Sequence, residues 1–432
     1  MKKHLHMFFT LVMAASLLLS ACGPRGGEVA ASNLQRATDP DAAPAELDEL
    51  VTGDNAFAFG LYQAVRTSDG NLFYSPYSIS LALAMTYAGA RGETASQMAA
   101  TLHFTLPDDR LHPVFNALDL DLARRPEQAA DVDKDQRFEL KIVNSLWGQK
   151  GWPFLSEFLD LLALNYGAGM RLVDYMNAPE EARLAINDWV SEQTKARIKN
   201  LIPQGLITPD TTLVLVNAIY FKAAWQYDFD SSQTKDGPFT LLDGTQVSAP
   251  LMSLDHLASL GYASGDGWQA VTLPYKGGMT EMVIIVPDEG WFTEFEASLS
   301  ADHFGEILAG MEPKIVALTM PKFSFTSSYQ LKDVLSGIGM PLAFDDQLAD
   351  LSGIDGQRDL FIRDVVHQAF VAVDEAGTEA AASTAVIIAP TAMLMPDVEL
   401  TIDRPFFFVI RDIPTGSILF VGRVANPVPD SE

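Results

Sequence analysis

The second half of this chain is crowded with long runs of β-forming residues, and that crowding limits the possible architectures more than any other feature. LVLVNAIYFKAAW (213–225), EMVIIVPDE (281–289), KIVALTMPKFSF (314–325), FFFVIRD (406–412) and GSILFVGRV (416–424) are rich in branched and aromatic side chains and are bounded by turn residues. Helical patterns precede them. In NLFYSPYSISLALAMTYAGA (71–90) a strand-like start gives way at Ser75-Pro76 to a helix that is apolar nearly all round, hence buried. INDWVSEQTKARIKNLI (186–202) places Ile186, Trp189, Val190, Ile198, Leu201 and Ile202 on one face, which predicts an amphipathic surface helix. Helices first and strands later predict an α+β fold. From about Thr52 onward no linker, repeat or change of composition interrupts the chain, so residues 51–432 read as one domain.

The preceding residues read differently. MKKHLHMFFTLVMAASLLLSACG carries two lysines, a short apolar stretch and a small-residue exit, the pattern of an export signal over 1–21. Leu19-Ser20-Ala21-Cys22 resembles a bacterial lipobox, which makes Cys22 the expected lipidation site and the protein exported, extracytoplasmic and anchored to the cell envelope. Cys22 is the only cysteine, so no intrachain disulfide is possible. Residues 22–50, rich in Ala, Pro, Asp and Gly, read as a flexible tether. The formal charge of -27 becomes -29 without Lys2 and Lys3, since 27 basic residues then face 56 acidic ones. Such a surface repels nucleic acid, heparin-like polyanions and anionic membranes, leaving the lipid as the only expected membrane contact.

Motifs for catalysis are weak. GDGWQA (265–270) imitates a dinucleotide fingerprint, but the strand-like VTLPY follows where a helix should open, so it reads as a turn. DVDKDQ (131–136) imitates a calcium loop, yet Gln136 and Ile142 stand where Gly and Glu are needed. The seven histidines form no HExxH pair, and no G-x-S-x-G elbow occurs. No metal or cofactor is expected. An exported hydrolase remains as a third reading, because a Ser-His-Asp triad is gathered in space rather than along the chain.

Two features call for another explanation. Ser75, Ser78, Asn217 and His367 lie inside apolar segments, where each side chain needs a hydrogen-bond partner. The stretch EAGTEAAASTAVIIAP (375–390) mixes alanines that suit a helix with a leading glycine and β-branched residues that do not. Read at period two, Thr378, Ala380, Ala382, Thr384, Val386 and Ile388 form one face, small at first and then apolar. That predicts a segment with two lives, first exposed and later a buried strand.

These blocks, together with SSYQLKDVLSGIGM (327–340), VVHQAFVAVDEAGTEAAASTA (365–385) and DRPFFFVIRDIPTGSILFVGRVANP (403–427), resemble the serpin family from about Asn55 to Pro427. The resemblance implies three β-sheets, about eight or nine helices and an exposed reactive-centre loop near the C-terminus. It further implies a metastable, monomeric protease inhibitor, not an enzyme. In such inhibitors the target serine protease cleaves the loop and is trapped as a covalent acyl-enzyme while the loop enters the main sheet as a new strand. On this reading Glu375, Gly377, Thr378, Glu379, Ala380, Ala381, Ala382 and Ser383 form the hinge, Trp225 marks where insertion begins, and Ser75, Ser78, Asn217 and His367 govern sheet opening. The family's usual hinge-to-bond spacing, counted from Thr378, implies a reactive bond at Thr391-Ala392, with Met393 or Leu394 as alternatives because Ala392 to Asp403 is long for the family. Small Thr391 suits elastase-like or subtilisin-like proteases, and Met393 or Leu394 a chymotrypsin-like pocket. No Lys or Arg occurs between Glu375 and Asp403, which disfavours trypsin-like targets. The alternative is a non-inhibitory serpin serving as a surface binding module.

Overall fold

The computed structural model describes residues 28–67, 70–128, 132–133, 136, 138–378 and 395–428. The first half alternates strands β1 (Glu28–Ala30), β2 (Leu72–Tyr74), β3 (Glu139–Gln149), β4 (Met170–Val173) and β5 (Leu213–Ala224) with helices. Those helices are α1 (Pro44–Val65), α2 (Pro76–Tyr87), α3 (Gly92–Leu102), α4 (Asp108–Gln128), α5 (Ser156–Tyr166) and α6 (Pro179–Gln193). The second half supplies β6 (Lys235–Thr240), β7 (Gln246–Gly265), β8 (Trp268–Pro274), β9 (Thr280–Pro287), β10 (Glu312–Pro321) and β11 (Phe323–Gln330). It continues with β12 (Ile362–Asp374), β13 (Gly377–Thr378), β14 (Val398–Thr401), β15 (Phe406–Asp412) and β16 (Ile418–Val424). Its helices are short: α7 (Phe292–Ser298), α8 (Ala301–Ala309), α9 (Lys332–Gly337) and the single turn α10 (Ser352–Asp355).

The main sheet runs β1-β4-β3-β5-β13-β12-β11, and the second runs β14-β10-β7-β8-β9-β15-β16-β2 with β6 on β7. The three expected sheets form two hydrogen-bonded ladders because β7 is 20 residues long. Its first part pairs with β6 and β10 and its last four residues with β8, so one strand belongs to both outer sheets. The period-two pattern of β5 explains its place at the centre. Leu213, Leu215, Ile219, Phe221 and Ala223 face the large core shared with α1, α2 and the second sheet, whereas Val214, Val216 and Ala218 pack against Ile186, Trp189 and Val190 of α6.

Two expectations need correction. The helix foreseen over 186–202 stops at Gln193, because Lys195 and Ala196 adopt positive φ. The remaining apolar residues still reach the same cluster, since Asn187 bonds both the amide and the carbonyl of Ile202 at 2.8 and 3.0 Å. The tether foreseen over 22–50 does not extend past residue 27. Residues 28–30 pair with β4, Arg36 reaches Asn116 and Asp119 of α4, and α1 begins at Pro44. The composition misled because this segment is held by backbone bonds and by the guanidiniums of Arg36, Arg110 and Arg124 rather than by an apolar face. The signal over 1–21 and Cys22 lie outside the described residues.

Candidate functional site

Of the expected site residues, the structure brings together two groups on the main sheet. Glu379, Ala380, Ala381, Ala382, Ser383, Thr391, Ala392, Met393 and Leu394 lie outside the described residues.

The first group closes the sheet across its middle. Asn144, Asn217 and His367 are direct neighbours on β3, β5 and β12, and the amino end of α2 sits against them. The Ser75 side chain caps that helix by accepting from the Ser78 amide at 3.2 Å. Ser75 N–H donates to His367 Nε2 at 3.2 Å, and His367 Nδ1 meets the Asn217 side-chain oxygen. The Asn217 amide donates to Ser78 and to Asn144, whose own amide donates to the Ser78 carbonyl at 3.0 Å. Ser75, Ser78, Asn217 and His367 are fully buried, and burial pushes the imidazole down to about 3. The ring is therefore neutral, with Nδ1 carrying the proton and Nε2 accepting, which matches both of its contacts. If β5 and β12 part, the His367–Asn217 bond between them must break, whereas the Asn217–Asn144 bond joins β5 to β3 on one side of the opening.

The second group sits at the upper end of the same two strands. β5 and β12 pair in parallel from Leu213/Ile362 to Ile219/Ala369 and then diverge. Into the opening the chain turns back at Glu375-Ala376, and Gly377 and Thr378 pair with Asp374 and Val373 on one side and Ala224 and Ala223 on the other. Asp374 Oδ1 accepts the amides of Ala376 and Gly377 at 2.9 and 3.2 Å, which shapes the turn. Gly377 is required by closeness: a Cβ there would lie 2.1 Å from the Ala223 carbonyl oxygen and 2.7 Å from Ala224 Cα. Thr378 is only 1% exposed, its hydroxyl 2.8 Å from that of Tyr275. Part of the hinge expected to be exposed is thus already a buried strand, because Tyr275 and the facing backbones satisfy Thr378.

Trp225 floors this opening. It stacks on Tyr275 with centroids 4.6 Å apart, and its indole N–H donates to the Asp374 carbonyl at 2.9 Å. Its backbone N–H donates to the Ala376 carbonyl at 3.0 Å. Glu375 is clamped by Lys322 Nζ and the Thr234 hydroxyl, both at 2.7 Å. Burial pushes the Glu375 carboxyl up, but the Lys322 and Thr234 bonds outweigh it and hold the group below its usual range. Asn144, Lys322, Thr234 and Tyr275 were not singled out from the sequence. Asn144 carried the same signal as Asn217, a polar side chain inside the β run KIVNSLWGQ; the other three carried none.

The arrangement places the two residues of β13 between β5 and β12. It offers no nucleophile paired with a base, and among the described residues no cluster could hold a metal ion. Residues 52–427 match the family model described as serpin, serine protease inhibitor. The chain is a serpin. Its similar relatives include an uncharacterized serpin-like protein of Thermococcus kodakarensis, 42% identical with 88% of this chain and 86% of that one covered. The leukocyte elastase inhibitors of Sus scrofa and Rattus norvegicus are 40% and 38% identical, with 88% of this chain and all of theirs covered. Among solved structures, the thermophilic serpin tengpin in its native state matches with a TM-score of 0.80 at 25% identity, covering 92% of this chain and all of tengpin. Human thyroxine-binding globulin matches at 0.76 and 31%, covering 90% of this chain and all of the globulin. As a serpin the protein belongs with protease inhibitors, not enzymes.

Proposed function

We propose that this serpin is a suicide substrate of elastase-, subtilisin- or chymotrypsin-like serine proteases. The protease serine attacks the carbonyl of Thr391, the bond to Ala392 breaks, the new amine departs, and the acyl ester persists because the loop enters the main sheet before water can cleave it. The observation that carries this reading is the wedge of Gly377 and Thr378 between strands that are still paired below.

Continuing that register gives the rest of the path. Residue 386 would fall beside Leu215 and residue 388 beside Leu213, both of which face the main core, so insertion would bury Val386 and Ile388. Residue 391 falls three positions beyond Leu213, the first residue of β5. The thirteen steps from Thr378 to Thr391 span about 40 Å at roughly 3.3 Å each, enough to drag and distort a captive enzyme. A dozen or so added ladder bonds at about 0.5–1.5 kcal/mol and two aliphatic side chains at about 1.5–3 kcal/mol release on the order of ten kcal/mol. The uncut protein is then held by a barrier, not by lowest free energy. We read it as a monomer, exported and fastened to the cell envelope through Cys22, on the strength of residues 1–22.

Mixing the protein with elastase and subtilisin should yield an adduct stable on a denaturing gel, and the released peptide should begin at Ala392. A peptide beginning at Leu394 or Met395 would move the bond to Met393 or Leu394. Clean cleavage without adduct would favour the binding-module reading, which the small residues of the hinge speak against.

A further inference from the structure

The segment before α1 takes no part in the site described above, yet it is docked at a particular place. β1 lies on β4, and Ala37 N–H donates to the Leu164 carbonyl at 2.9 Å. Arg36 donates to Asn116 at 2.8 Å and to Asp119 at 2.6 Å, while the Asn116 amide returns a bond to the Ala37 carbonyl at 2.8 Å. Gly169 makes room for it: a Cβ there would stand 2.7 Å from the Ala30 carbonyl oxygen and 2.9 Å from Ala31 Cβ. The attachment is mostly polar. Val29 and Leu34 are each 45% exposed, and a cavity of about 530 Å³ separates the strap from Asn144, Ser145 and Trp189. Little apolar surface is lost to water when such a strap lifts.

Its position follows from register. β3 sets Gly148 against Leu213 and Leu146 against both Leu215 and Met170 of β4, and β4 sets Met170 against Ala30. β1 is therefore level with the Leu213 end of β5, opposite the hinge at Ala223 and Ala224. On the insertion reading the captive protease arrives at that same end, about 10 Å past Leu213 at roughly 3.3 Å per residue. After insertion four strand spacings, about 19 Å, separate the new strand from β1. A globular protease of roughly 200–250 residues has a radius of gyration of about 17 Å, so its outer surface reaches at least as far.

We propose that residues 28–43 are a detachable clasp whose seat on β4 is the surface met by the captured protease, so that completing the insertion expels it. This rests on the insertion reading. While docked, the clasp opposes the last part of the protease's travel; once it is lifted, its seat is free for the captive.

The test uses the full chain carrying Cys22→Ser, with Glu28→Cys and Leu172→Cys placed directly opposite in the β1–β4 ladder. Opposed residues of an antiparallel pair have Cα atoms about 4.5–5.5 Å apart, within disulfide range. Oxidation should raise several-fold the moles of inhibitor consumed per mole of elastase or subtilisin captured, and reduction should restore the lower ratio. In unlocked protein, hydrogen exchange of residues 28–43 should be fast in the covalent complex and slow in loop-cut protein free of protease. Equal capture ratios for oxidised and reduced protein, or equal exchange in complex and loop-cut protein, would overturn the clasp alone. Absence of any adduct from reduced protein would overturn the insertion reading and the clasp with it.

Discussion

Thr384→Val is aimed at the inserted state that the proposed mechanism requires. On the insertion reading, the register extended from Gly377 and Thr378 would set residue 384 opposite Asn217 on β5 and His367 on β12, the two residues that bond each other across the closed sheet. Insertion would part them, and a threonine hydroxyl, with one donor and two acceptor positions, can bridge the gap. Valine keeps the shape and removes the hydroxyl, leaving up to two buried polar groups unpaired at about 1–3 kcal/mol each. With an unfolding entropy of about 2.1 cal/mol/K per residue over roughly 400 ordered residues, the loop-cut form should melt about 2–7 °C lower. In the uncut form His367 and Asn217 satisfy each other, so its melt should not move. Calorimetry of cut and uncut protein in a fixed concentration of guanidinium chloride reads both, and Thr384→Ser should recover the parent value. If cut Thr384→Val melts together with the cut parent, the register, and with it the central-strand path, is wrong.

Thr378→Arg should turn the inhibitor into a substrate, since a charge would have to sit where Thr378 is now buried against Tyr275; a covalent adduct formed at the parental ratio would contradict this. Asp54 supplies a pH test. Burial pushes its carboxyl up to about 7, with the Ser80 hydroxyl bond as the lowering influence. Because the folded value exceeds the unfolded one, the native state binds the proton more tightly, and stability falls as pH rises from about 4 through 7 by on the order of 3–5 kcal/mol. Asp54→Asn should flatten that fall, and superimposable profiles of melting temperature from pH 5 to 8 would refute it.

The strands were legible because their hydrophobic runs are long and bounded by turns, and β5, β9, β15 and β16 fall nearly where the runs lie. Ser75, Ser78, Asn217 and His367 were legible as polar side chains in apolar surroundings, although only the resemblance said that they meet. The run 314–325 contains two strands, because Lys322 breaks it where β10 ends and β11 begins. The clamp on Glu375 left no local trace, since Thr234 and Lys322 come from distant segments and look like ordinary surface residues until the sheet assembles. The docked strap was invisible for a related reason: a three-residue ladder and the scattered bonds of Arg36, Arg110 and Arg124 have no periodicity, and the glycine that admits the ladder is 139 positions away from Ala30.

The docked strap also gives the molecule a polarity. The described chain starts at the Leu213 end of β5, while Gly377 and Thr378, from which the proposed bait would continue, sit at the Ala224 end, about 40 Å away at roughly 3.3 Å per residue. In the proposed envelope-bound form, the six steps from Cys22 to Glu28 allow a leash of at most about 20 Å. The loop would then point outward into traffic, and the delivery end would face the lipid across a gap narrower than a protease. Lifting residues 28–43 would pay out up to about 50 Å more line, so a single release would both vacate the berth and raise the vessel off the bottom.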